Sequence, residues 1–321
     1  MADKDYRIFV HSPADLAREC LDWAERARSD PGIPFGIPAI DKVVIPMKPG
    51  ELISIIARPG HGKTSLMAYL ARAEAKRLQA TGDNSQVVVY VTWEQSAEEL
   101  ETMFQASKDY SVSDIAWGRA NLEAMKRHAV KRAAMPIWVI GHGIGRAGQK
   151  MPRMTVDVVL GAIETMKADY GVTPRLMLFD YMQLVPVARA RDRIQQVTEA
   201  PIRIKELALR IGAPAVVGVQ ASREVDRRDE KIPRMDDAQW SSAIEQTSDK
   251  VFGLWRPCQT EPPNSPPVLL GDREFEINER LLIMRLLKQR GDQGRHTWAL
   301  YFAPEYLKLA ELETRHTELE F

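Results

Sequence analysis

Between Glu51 and Thr64 the chain reads Glu-Leu-Ile-Ser-Ile-Ile-Ala-Arg-Pro-Gly-His-Gly-Lys-Thr, an apolar run that breaks into a glycine-rich turn and ends in Gly-Lys-Thr. The apolar run has the composition of a buried strand, and Leu66, Met67, Leu70, Ala73 and Leu78 then recur at helical period up to Gly82, a fitting C-cap. Strand, small-residue turn and helix start, in that order, let backbone N–H groups close around clustered phosphate oxygens. Lys63 adds a mobile positive charge, and the Thr64 hydroxyl is placed to complete the shell of a bound Mg²⁺. Arg58, Pro59, Gly60, His61, Gly62, Lys63, Thr64 and Ser65 are therefore the candidate nucleotide-binding residues. The strict pattern wants Gly where this chain has Ala57, so the flanking strand and helix carry the reading; an ordinary Gly/Pro turn is the alternative.

Composition constrains partners and compartment. With 44 basic and 44 acidic side chains the formal net charge is zero, so contact with nucleic acid has to come from local patches. Cys20 and Cys258 lie far apart and the six histidines are scattered, which excludes a zinc pattern and suits a reducing, cytoplasmic setting. No apolar run approaches the ~18 residues that cross a bilayer, and Asp3, Lys4 and Asp5 stand where a signal peptide would be apolar.

The first thirty residues read as a separate piece. Ser12-Pro13-Ala-Asp15 starts a helix, Leu16, Cys20, Trp23 and Ala27 form its apolar stripe, and Asp30-Pro31-Gly32 ends it. One such helix cannot fold alone, so it docks either on its own domain or on a neighbour. Beyond it, strands are predicted at Val87 to Thr92, Pro136 to Ile140, Leu176 to Phe179 and Ala215 to Val219, with helices from Ala97, over Thr155 to Tyr170, and ending near Gly212. This alternation predicts an α/β fold with a mostly parallel central sheet flanked by helices.

Polar residues at two strand ends carry the candidate chemistry. Asp180 follows Leu176-Met-Leu-Phe179 at the carboxyl edge of the sheet, the edge that also bears the glycine-rich turn, and is the natural Mg²⁺-side partner of Thr64. Glu94 ends the second strand, where a carboxylate accepts a proton from an attacking water. The plainer reading of Glu94 is a solvated side chain beside a helix capped by Ser96 and Glu99.

Taken together these segments resemble the RecA-like motor domain of DnaB-type replicative helicases. Ala57-Arg-Pro-Gly-His-Gly-Lys63-Thr64 is similar to that family's first motif, and Thr92-Trp-Glu94-Gln-Ser-Ala-Glu-Glu-Leu100 to the segment with its catalytic glutamate. Phe179-Asp180-Tyr-Met-Gln-Leu184, Ser242-Ala-Ile-Glu-Gln-Thr-Ser-Asp249 and Leu287-Lys288-Gln-Arg290-Gly291 resemble three further motifs, in family order, over about residues 35 to 310. The resemblance implies a RecA-like P-loop NTPase fold over 35–321, preceded by a helical arm and linker over 1–34. It implies ATP as substrate with Mg²⁺: Lys63 and Thr64 on phosphates and metal, Asp180 in the metal shell, Glu94 on the water, and Gln220 as sensor of the γ-phosphate. It also implies that Lys288 and Arg290 act in trans on the adjacent subunit of a homo-oligomer, a hexameric ring with composite sites; alone they read as solvated residues at a strand end.

Two loops correspond to those that face the channel in such rings. The first holds Arg189, Arg191 and Arg193; the second holds Arg223, Arg227 and Arg228. Neither contains an aromatic residue, which favours backbone contacts with single-stranded DNA over base reading; the near charge balance of the second leaves a solvated, self-paired loop as its alternative. The chain also departs from the family. About forty-five residues precede the motor segment, so the family's N-terminal domain is not expected in this sequence. Gln239 replaces an Arg, Val219 a Ser, and Pro201 interrupts a helix that Thr198 is placed to cap. Residues 257–274 read as a proline-rich surface excursion, and 141–150 as a flexible basic linker. The expected activity is that of an ATP-dependent DNA helicase or single-strand translocase. A nucleotide-gated platform recruited to DNA, a loader or another partner protein is the alternative, with a recombinase filament third.

Overall fold

The computed structural model describes residues 10–144, 153–187, 192–238, 241–291 and 296–312. Helix α1 (Pro13–Ser29) starts where expected, with the Ser12 hydroxyl accepting the Asp15 N–H. After it come α2 (Pro38–Asp41), β1 (Leu52–Ala57), α3 (Lys63–Thr81), β2 (Gln86–Thr92), α4 (Ala97–Gln105), α5 (Val112–Ala116), α6 (Leu122–Ala133) and β3 (Ile137–Ile140). Next are α7 (Val156–Tyr170), β4 (Thr173–Asp180), α8 (Arg193–Ile211), β5 (Ala215–Gln220), α9 (Ser241–Thr247) and β6 (Lys250–Trp255). The last strands are β7 (Val268–Leu270), β8 (Arg273–Phe275), β9 (Leu281–Gln289), β10 (Thr297–Ala303) and β11 (Lys308–Glu311).

Nine strands form one sheet in the order β11-β10-β9-β6-β1-β5-β4-β2-β3. From β6 to β3 every pairing is parallel, while β9, β10 and β11 add an antiparallel edge. Side chains alternate across each strand, so β1 sends Ile53 and Ile55 toward α3 and α4, and Leu52 and Ile56 into the opposite layer under α7 and α8. Burial on both faces explains why β1 reads as an apolar run rather than an alternating one.

One expectation is overturned in the structure and two are made more specific. No residue of α1 is buried, and Leu16, Leu21 and Trp23 are 52%, 68% and 59% exposed, so the stripe finds no docking surface among the described residues of its own domain. The chain is held from Asp30 onward instead, where the carboxylate receives two nitrogens of Arg175 at 2.6 Å each. Thr198 does not cap a helix: Asp192 does, accepting the Gln195 N–H, and α8 runs on through Pro201. Burial of Val197, Ala200, Ile204 and Leu207 against the sheet outweighs the ~3 kcal/mol that an interior proline costs. The proline-rich excursion contains order of its own, a hairpin of β7 and β8 turning at Gly271 and held by Phe275 in a small cluster with Ile232, Trp255 and Ile283.

At the amino ends of β1 and β6 the Lys250 ammonium, 2% exposed, donates to Glu51 Oε2. Glu51 is less deeply buried and also accepts the Lys48 N–H, so the two partners are unequal. Glu51→Ala, which strands a buried cation, should cost about 3 kcal/mol or more, and Lys250→Met clearly less. Chemical denaturation of the two variants checks this; equal costs would contradict the asymmetry.

Candidate active site

The phosphate-binding geometry starts from backbone conformation. Gly60 and Gly62 have φ of +79° and +89°, and a Cβ on Gly62 would lie 2.8 Å from the Phe302 ring. Helix α3 begins directly after Gly62 with no side chain capping it, so its first N–H groups point into the turn as an anion site. Lys63 Nζ donates to the carbonyls of Ala57 and Arg58 at 3.2 and 3.4 Å, curling its ammonium over that turn. Burial lowers the Lys63 pKa, and the negative charges of Asp180 and Glu94 oppose that shift.

Strand register brings the remaining groups to this turn. Ala57 pairs with Gln220 on β5, Thr92 pairs with Asp180 on β4, and the Trp93 N–H donates to the Asp180 carbonyl at 2.9 Å. Glu94 thus stands beside Asp180 at the cleft mouth, open to solvent. Its pKa is raised, first by the surrounding protein and then by the Asp180 charge, with Lys63 acting the other way. Both sequence readings of this segment coexist, because Ser96 and Glu99 also form the complete capping box of α4. Gln220 is clamped at its backbone by the buried Gln183 amide, which donates to its carbonyl at 3.2 Å and accepts its N–H at 3.1 Å.

Asp180 is 2% exposed. The Tyr90 hydroxyl donates to its Oδ2 at 3.1 Å, the Thr64 side chain bonds to the carboxylate, and Oδ1 is buried with no partner among the described residues. Burial raises its pKa, and Thr64, Tyr90 and Lys63 lower it. A carboxylate bonded to a threonine hydroxyl and with one oxygen left unpartnered fits a hydrated Mg²⁺, which takes oxygen ligands and keeps several waters. No cluster of three or more His, Cys, Asp or Glu among the described residues makes an all-protein metal cage.

Lys63, Thr64, Glu94 and Gln220 line a cavity of about 320 Å³ that also includes Tyr181, Arg256 and Pro304, with Asp180 buried against Thr64. Sequence reasoning missed Arg256, although it stands just past the end of a buried strand, the position that marked Asp180. Its backbone N–H donates to His61 Nδ1 at 3.0 Å, its guanidinium lies 5.3 Å from the Phe302 ring, and its Nε is buried without a partner among the described residues. A larger depression of about 560 Å³ lies over β9, where Glu230 is already paired with Arg285 at 2.7 Å and Arg234 at 3.3 Å.

Lys288 and Arg290 stand at the other end of the sheet. Lys288 Nζ donates to the Glu245 carbonyl, and Arg290 pairs with Asp249 Oδ1 at 3.1 Å. Asp249 Oδ2 in turn accepts the Leu52 N–H and Lys205 Nζ, which puts this group at the start of β1, a strand length of roughly 15 Å from the turn after Ala57. In the second loop Arg223 and Arg227 are exposed, while Arg228 is half-buried and paired with Asp237. The loop is tied to the phosphate turn, because Arg58 pairs with Asp226 at 2.9 Å and donates to the Ala221 carbonyl at 3.2 Å. Arg189, Arg191, Gln239 and residues 145–150 lie outside the described residues, and Arg193 opens α8.

His61, 3% exposed, has its pKa lowered to about 4, chiefly by burial, so it is neutral and serves Arg256 as an acceptor. The unfolded chain protonates this histidine near 6.5, so stability is full above that pH and falls as pH drops toward 4, by up to about 3 kcal/mol. His61→Gln keeps an acceptor and should flatten that part of the stability profile relative to wild type. Identical profiles would contradict the assignment.

Comparison with known proteins places this geometry. The model of the DnaB-like helicase C terminal domain matches residues 32–311. Replicative DNA helicase DnaC of Bacillus subtilis is 27% identical over 288 residues, 88% of this chain and 57% of that protein. Replicative DNA helicase DnaB of Geobacillus stearothermophilus is 27% identical over 293 residues, 90% of this chain and 58% of that protein. The chain therefore spans little more than half the length of these relatives. Among solved structures, one described as an ATPase domain superposes with a TM-score of 0.75 at 21% identity, over 95% of this chain and 100% of that one. A DnaB-like replicative helicase, described with its interactions with primase, gives 0.72 at 21% identity, over 95% of this chain and 68% of the other. The fold is that of a RecA-like helicase ATPase domain, and the chain belongs to the DnaB-like helicase C-terminal domain family.

Proposed function

We propose that this chain is the ATP-hydrolysing motor of a DnaB-like DNA helicase, working at sites shared between head-to-tail subunits of a hexameric ring on single-stranded DNA. The observation that supports this most is the division of the reacting groups between two ends of one sheet. Lys63, Thr64, Glu94 and Gln220 meet around one cleft with Asp180 buried against Thr64, and Lys288 and Arg290 are a strand length away. A single copy cannot bring the second set to the first, whereas a neighbour presenting its β9 end can. The unpartnered stripe of α1 suits the same arrangement, since a neighbouring subunit would cover it.

Within the cleft the α3 N–H groups and Lys63 hold the phosphates, and Glu94, its pKa raised, takes the proton of the attacking water. Thr64 and Asp180 would hold Mg²⁺, which would supply positive charge to the phosphate oxygens. Gln220 reports the terminal phosphate, and the Arg58–Asp226 pair passes that state to the loop bearing Arg223 and Arg227. The neighbour's Lys288 and Arg290 add charge to the transferring group.

The composite site has a direct test. Arg290→Ala and Glu94→Gln proteins, each slowed by roughly 10²-fold or more alone, should regain ATPase activity when mixed as exchanging subunits, because about a quarter of interfaces in an equal random mixture then carry both intact groups. No recovery, with exchange shown independently, would contradict sharing.

DNA contact is tested by salt. Replacing Arg223 and Arg227 with Ala should reduce the salt slope of single-strand affinity by roughly 1.4, about 0.7 per lost phosphate contact, whatever the base composition. DNA-independent ATP turnover should survive. An unchanged slope would remove these arginines from the DNA path, and ATP turnover without strand displacement on forked DNA would favour a switching platform over a motor.

A further inference from the structure

Tyr90 lies in the middle of β2 with its side chain 0% exposed, packed edge-on against Phe104 at 6.0 Å between ring centroids. A phenylalanine would fill this space equally well, so packing does not account for the hydroxyl. A buried hydroxyl is costly unless it is hydrogen-bonded, and this one donates to Asp180 Oδ2 at 3.1 Å. The other oxygen, Oδ1, has no partner among the described residues and lies over Gly218 of β5, where even a Cβ would come within 3.5 Å.

The carboxylate is therefore anchored through Oδ2 alone, apart from its bond to Thr64. A carboxylate torsion is broad, so burial alone does not fix the plane of the group. A donor fixed in the middle of a neighbouring strand does fix it. We propose that Tyr90 is a positioning residue for the metal-side carboxylate, its hydroxyl holding Oδ2 of Asp180 so that the carboxylate keeps one orientation against the Thr64 side chain, where the pair would receive a hydrated divalent cation. This rests on the nucleotide site proposed above. It adds to that site a residue that touches neither nucleotide nor metal.

The test is Mg²⁺ titration of the binding of a fluorescent ADP analogue to the full chain. Tyr90→Phe should leave affinity in EDTA unchanged and raise the half-saturating Mg²⁺ concentration about 10-fold, the scale of losing a hydrogen bond to a metal-ligating group. In an Asp180→Asn background the same substitution should have no further effect. Phe104→Leu, which loosens the same packing without touching the hydroxyl, should lower the melting temperature and leave the Mg²⁺ midpoint in place. An unchanged midpoint in Tyr90→Phe, or an equal shift in Phe104→Leu, would overturn the assignment. Wild-type protein that binds the analogue with no Mg²⁺ dependence would overturn the metal reading beneath it.

Discussion

Backbone pairing among β1, β5, β4 and β2 determines where the reacting groups stand. Side chains at strand ends inherit their separation from strand spacing, about 4.8 Å between neighbours, so the register that sets Ala57 beside Gln220 and Asp180 beside Thr92 also sets the width of the cleft. The Trp93 N–H on the Asp180 carbonyl and the Gln183 amide on Gln220 extend that control past the last regular pair. A one-residue slip would turn each of these side chains to the opposite face. Cores on both sides of the sheet resist such a slip, because every residue of β1 is buried.

Charge then differentiates the two ends of β1. At the carboxyl end, Lys63, Asp180 and Glu94 share a crowded site in which burial and neighbouring charges shift all three pKa values toward the neutral forms or oppose that shift. At the amino end, Asp249 collects Lys205, Arg290 and the Leu52 N–H, and Lys250 collects Glu51. The first cluster leaves an oxygen of Asp180 and a basic helix start unanswered by protein. The second holds two cations, Lys288 and Arg290, on carbonyls and a carboxylate of its own subunit at a half-exposed edge. The head-to-tail assembly proposed above would bring such ends together.

Much of this was legible in the sequence because strand-turn-helix grammar is local. The phosphate turn was readable despite Ala57, since the apolar run before it and the helical period after it depend only on neighbouring residues. Asp180 was readable as a polar residue ending a buried strand, and Gln220 through the family resemblance. Arg256 obeys the same rule on β6, but the proline-rich stretch after it drew attention away from the strand. The Tyr90–Asp180 and Arg58–Asp226 contacts join residues 90 and 168 positions apart, a pairing that no local pattern encodes. Thr198 misled because a helix start was inferred from Pro201, whereas tertiary burial carries α8 straight through it. Arg228 shows the limit of counting charges: its guanidinium is held by Asp237, nine residues along the chain.

Electron microscopy of the assembled protein with Mg²⁺ and a non-hydrolysable ATP analogue tests the division of the site most directly. A site shared between subunits requires the phosphates to lie over Gly60 to Ser65 of one subunit, with Lys288 and Arg290 of the next subunit released from Glu245 and Asp249 and within hydrogen-bond reach of the terminal phosphate. Nucleotide seated at that turn while both side chains remain on their own subunit, far from any phosphate, would contradict it.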